Sequence, residues 1–79
     1  MKLGNNIRKL RFEKGEMTQQ QLADVIGTSR MTVYSIELGK FVPSTLLAMK
    51  IAGVFGKSVE EIFFIVEEDN DGRKKRKPR

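Results

Sequence analysis

Apolar residues recur along this chain at the three- and four-residue steps of helices with one buried face. The pattern is clearest in TQQQLADVIGTSRMTVYSIELGK, Thr18 to Lys40. Leu22, Ala23 and Ile26 share one helical face, and Val33 and Ile36 resume the stripe after an interruption at Gly27. The flanking chemistry supports two short helices. Thr18 and Gln21 form a Thr-x-x-Gln capping box, and Met17 is placed to pack on Leu22 as a hydrophobic staple. Gly27 supplies a stop where positive φ costs least, and Ser29 caps the next helix. Arg30, Met31, Thr32, Tyr34 and Ser35 are left on the outer face of that second helix.

The same reading extends in both directions. Residues 1–4 are too short to separate a brief strand from a disordered start. Asn5 or Asn6 caps a helix running to about Lys14, with Ile7 and Leu10 inward and Gly15 as its stop. Pro43 bars a helix through the loop after Lys40. Ser44 then caps a fourth helix to about Phe55, which buries Leu47, Ala48, Ile51, Ala52 and Phe55. Ser58 and Glu61 make a second capping box for a short fifth helix with Val59, Ile62 and Phe63 inward. Five apolar residues in a row, Ile62 to Val66, exceed what one small helical face buries. Their β-branched and aromatic content predicts that residues 64–67 become extended. An exposed apolar strand needs a partner. Two are open to it: Met1 to Leu3 of the same chain, or the same element of a second chain. The first expectation is therefore a dimer centred on Phe63, Phe64, Ile65 and Val66, against a monomer whose core these residues simply cap.

Charge changes the picture once it is located. The formal net charge is +5, but six of the fifteen basic residues lie in RKKRKPR, residues 73–79. The remainder carries nine bases against ten acids, with acids concentrated late and bases early or in the middle. Such polarity steers a polyanion onto one face. The division expected is a folded unit over residues 1–66 and a flexible, acidic-to-basic tail over 67–79. Three readings of the tail stand open: an arm adding sequence-independent affinity for DNA, a solubility tail, or a recognition signal.

Composition removes several functions. There is no cysteine and no histidine, so neither a disulfide nor a thiolate or imidazole metal site is expected. The adjacent pairs Glu60-Glu61 and Glu67-Glu68 do not converge on a pocket, and Gly53-Val54-Phe55-Gly56 is a helix end rather than a phosphate loop. No enzyme, cofactor or small-molecule ligand is expected. No apolar run approaches the ~20 residues that span a membrane, and the expected location is cytoplasmic. A chain of 79 residues buries a small core, which also favours association.

Ala23, then Gly27 four residues on, then Val33 after six more, is helix-turn-helix spacing. With Thr18 to Ala23, Gly27 to Arg30, Ile36 to Lys40 and Pro43-Ser44, the chain resembles the phage repressor and Cro type of helix-turn-helix (Xre-like) regulators over residues 5–63. The resemblance implies an all-α, five-helix, lambda-repressor-like fold. It implies a homodimer that binds an inverted-repeat operator in double-stranded DNA, with the third helix in the major groove. By position it makes Arg30, Met31, Tyr34 and Ser35 base readers. Gln19, Thr28, Ser29 and Lys40 become phosphate contacts, and Arg11 and Glu37 a structural ion pair. The competing function is an antitoxin-like protein-interaction module on the same fold.

Overall fold

The computed structural model describes residues 2–68 and 74–76. Five helices are present: α1 (Ile7–Glu13), α2 (Gln19–Ile26), α3 (Arg30–Glu37), α4 (Thr45–Phe55) and α5 (Val59–Ile62). Three short strands accompany them: β1 (Lys2–Asn5), β2 (Phe63–Glu68) and β3 (Lys74–Arg76).

Local chemistry accounts for most boundaries. The Thr18 hydroxyl accepts the Gln21 N–H while the Gln21 amide oxygen accepts the Thr18 N–H, closing the box at the start of α2. Ser58 and Glu61 do the same for α5. Ser29 and Ser44 cap α3 and α4 through the N–H groups of Thr32 and Leu47. Gly27 and Gly56 adopt the left-handed conformation that ends α2 and α4. At α1 the cap position is Asn6, whose side chain makes no capping bond. Asn5 accepts the Ile7 N–H instead.

The core lies where the five helices meet. It is built from Ile7 and Leu10 of α1, Leu22, Ala23 and Ile26 of α2, and Val33 and Ile36 of α3. Ala48, Ile51 and Ala52 of α4, Ile62 of α5 and Phe63 complete it. Met17 packs on its edge, beside the α2 it precedes. Ala23 is wholly buried between α2 and its neighbours, where a larger side chain would force them apart. The junction of β1 and α1 is pinned at two places. Asn5 donates its amide to the Ile36 carbonyl, and Asn6 donates its amide to the Glu61 carbonyl, each at 2.9 Å.

The extended segment finds its partner within the chain. β2 lies between β1 and β3 in an antiparallel sheet. Leu3 is opposite Ile65 and Gly4 opposite Phe64. Glycine is required there because a Cβ at Gly4 would run into the Phe64 ring and the Val66 side chain. Phe63, expected among the dimer contacts, belongs instead to the core, because the chain leaves α5 with that residue still pointing inward. Phe64 and Val66 are half-buried and Ile65 is exposed. Two further features depart from the expected tail. The strand continues through Glu67 and Glu68, and Lys74–Arg76 pair with it, setting Lys75 opposite Glu67 and Lys74 opposite Glu68. Met1, the acids at 69 and 71, and the rest of the basic run lie outside the described residues.

Candidate nucleic-acid interface

Helix α3 presents two chemically different sides. Val33 and Ile36 are buried, and the positions between them turn outward. Arg30, Met31 and Tyr34 are exposed, and Ser35 is half-buried on the same side. Leu38, the C-cap, is exposed too and lies two turns beyond Met31. The outer face is therefore a cation at its start followed by Met31, Tyr34 and Leu38, with a hydroxyl beside them.

The pose of α3 is set by a polar joint. Arg11 donates Nε to Glu37 Oε2 at 2.6 Å and Nη2 to Glu37 Oε1 at 3.1 Å. Its Nη1 donates to the Met17 carbonyl at 2.7 Å. The two charged side chains are only 13% and 8% exposed. Gln19 joins them, donating Nε2 to Glu37 Oε1 at 3.1 Å. One cluster thus ties α1, the start of α2 and the end of α3, and such two-point geometry fixes an angle as well as a distance.

The residues expected to meet phosphate are spread around this joint. Gln19 opens α2, where backbone N–H groups and the helix dipole favour an anion. Its amide nitrogen carries two hydrogens, so the bond to Glu37 does not exhaust it. Thr28 is half-buried in the turn, its N–H bonded to the Ala23 carbonyl. The Ser29 hydroxyl accepts the Thr32 N–H and lies 2.9 Å from the Thr32 hydroxyl, so its first duty is capping. Lys40 is exposed just past α3, its N–H anchored on the Ser35 carbonyl.

Two surface depressions bring these elements together. One, of about 890 Å³, runs between α1 and α3 and is lined by Arg8, Phe12, Gln19, Tyr34 and Leu38 among others. The second, about 490 Å³, is shared by Arg8, Thr18, Gln19, Gln20 and Arg30. Arg8, one of the early basic residues but not among the expected contacts, borders both. Its spacing is the signal: Arg8 and Arg11 stand three apart on α1, so a face that brings one to the α2 terminus brings the other. Phe12 and Leu38 are the other additions at the rim. Among the described residues no group of His, Cys, Asp or Glu is placed to hold a metal, and no helix is long and apolar enough to cross a membrane.

The sequence was compared with known families and proteins. A helix-turn-helix family model matches residues 7–62. An HTH-type transcriptional regulator of Bacillus subtilis, YgzD, is 40% identical over 65 residues, covering 82% of this chain and 97% of that protein. Another from Methanocaldococcus jannaschii is 46% identical over 63 residues, 77% of this chain and 94% of that protein. The competence pilus inhibition repressor of Acinetobacter baylyi is 38% identical over 73 residues, 91% of this chain and 66% of that protein.

Proposed function

The chain belongs to the helix-turn-helix family that matches it across α1 to α5, and on that premise we propose that it is a sequence-specific transcriptional regulator, acting as a homodimer on an inverted-repeat operator. The observation that carries the reading is the outer face of α3, where Arg30, Met31 and Tyr34 are exposed while Val33 and Ile36 hold the helix to the core. One α-helix fits the major groove, where base edges differ between pairs.

In this reading Arg30 makes a two-point contact with guanine O6 and N7. Met31 lies against a thymine methyl, Ser35 exchanges a hydrogen bond with a base edge, and Tyr34 packs on a base or its sugar. Gln19, Thr28, Ser29 and Lys40 hold phosphates and set register without reading sequence. Arg8 adds a cation to the side where Gln19 and Arg30 meet. Two copies place their α3 helices in successive grooves about 34 Å apart. Regulation follows from covering or bending promoter DNA, and the place of action is the cytoplasm.

The test is selection of bound duplexes from a random pool, run for the native chain and for Arg30→Ala. The native chain is expected to enrich an inverted repeat with half-sites one turn apart. Arg30→Ala is expected to bind it about 1–3 kcal/mol more weakly, with relaxed choice at one base pair. If no site is enriched and a neighbouring gene product binds tightly, the protein-interaction reading replaces this one.

A further inference from the structure

Among the described residues one apolar stripe lies open on the side of α4 turned away from the core. Val42, in the loop before α4, and Leu46 and Met49, on the helix, are 68%, 65% and 60% exposed. Leu46, Met49 and Gly53 follow one another at steps of three and four, so they share a face. Ala48, Ile51 and Ala52 occupy the opposite, buried side. Gly53 is exposed inside the helix, and a Cβ added to it would meet nothing within 4 Å. Packing within the chain gives no reason for glycine here, and glycine weakens a helix interior.

We propose that this stripe is where two copies of the chain meet, α4 lying antiparallel against α4 about a twofold axis. The inference rests on the dimeric reading above and names the surface that reading requires. Its support is that the stripe is its own complement. An antiparallel register that seats Leu46 against the partner's Met49 runs the loop carrying Val42 toward the partner's Gly53 end of α4. Bulk then meets a gap, and the twofold repeats each contact. The same register sets Lys50, the single charged side chain of α4, opposite the partner's Thr45 instead of a like charge. The helix dipoles run in opposite directions, which is their favourable arrangement. Phe41, exposed beside Val42, extends the patch. Together these side chains form a contiguous apolar centre of the kind that the roughly 800 Å² per partner of a stable dimer is built around. The apolar run in β2 is a poorer candidate, since β1 and β3 take its two edges and Phe63 is in the core.

The chain has no cysteine, so introduced thiols report contacts cleanly. The full chain carrying Val42→Cys and Gly53→Cys together is expected to oxidise to a covalent dimer at low micromolar concentration. Val25→Cys, comparably exposed on α2, is expected to form no cross-link under the same conditions. In sedimentation equilibrium Met49→Glu is expected to raise the dimer dissociation constant at least about tenfold, as truncating the centre of an interface does. Should that variant fail to fold, Gly53→Leu takes its place. Leucine favours the helix in the monomer, so a tenfold loss there reports the interface alone. Absence of the covalent dimer, cross-linking of Val25→Cys to the same extent, or unchanged association of the α4 variants overturns the proposal. The site selection fails separately: an enriched operator without the cross-link keeps the DNA reading and removes this surface, and a cross-linked dimer that enriches nothing does the reverse.

Discussion

Replacing Glu37 with alanine removes the acceptor on which three helices converge. Glu37 Oε2 takes the Arg11 Nε at 2.6 Å, and Oε1 takes both Arg11 Nη2 and the Gln19 amide at 3.1 Å. An exposed pair of this kind contributes about 0–1 kcal/mol. Breaking a buried one costs about 3–5 kcal/mol, because the surviving charge stays out of water. With side chains 13% and 8% exposed, this pair lies near the buried limit. Arg11 keeps one partner, the Met17 carbonyl. The expected loss for Glu37→Ala is therefore about 3 kcal/mol, toward the lower end of that range.

That loss is large for so small a chain. At roughly 0.05–0.15 kcal/mol per residue, the whole domain has on the order of 4–12 kcal/mol. Each kcal/mol moves the midpoint by about 4–8 °C in a domain of this size. The measurement is urea unfolding followed by helical circular dichroism, at one protein concentration throughout so that the proposed association cannot alter the comparison. The decisive comparison is a cycle of Arg11→Met, Glu37→Leu and the double variant. If desolvation governs, the double variant is more stable than Glu37→Leu alone and the coupling is about 2 kcal/mol. Single substitutions that each cost under about 1 kcal/mol and simply add would show a solvated pair and refute the reasoning.

Two further outcomes are expected. The Glu61 carboxyl sits below its ordinary value of 4.5, first because the Ser58 N–H donates to it and then because the Ser58 hydroxyl does. A depressed carboxylate stabilises the fold above its unfolded pKa and loses that contribution as pH falls through the folded one. Glu61→Gln should therefore lower the melting temperature at neutral pH, and the gap should close as pH falls below 4.5 and through the depressed pKa of Glu61. A gap that persists in acid would mean that charge plays no part. Deleting residues 73–79 should flatten the salt dependence of DNA affinity and leave the preferred site unchanged. An unaltered slope would remove the tail from the interface.

How much of this was legible in advance depended on how local the signal was. The boundaries of α2, α4 and α5 follow from Thr18, Ser44, Ser58 and the glycines after them, residues that act within four positions of themselves. The outward set on α3 was readable because Val33 and Ile36 fix which way the helix turns. The sheet was not. β1 is KLGN, which shows no alternation and one large apolar residue. It is a strand because Phe64 lays its ring over Gly4, sixty residues away in sequence, and no local pattern announces that. β3 is a short run of like-charged residues, and nothing local to it predicts a strand.

The open face of α4 was hidden for a different reason. TLLAMKIAGVF is apolar nearly all the way round, and such a helix carries no internal sign of which side is covered. Periodicity put Leu47 and Phe55 on the buried face, yet both are only partly buried. Leu46, two positions before buried Ala48, and Met49, one after it, are mostly exposed. An apolar helix on the surface of a chain too short to hold a large core is itself informative. Its excess of hydrophobic positions over what the monomer covers is the surface the proposed α4 contact would bury, and Gly53 leaves room there for a partner side chain. The sequence carried that excess in its apolar content, but helical periodicity assigned α4 a single buried face and so left the expected contact on Phe63 to Val66.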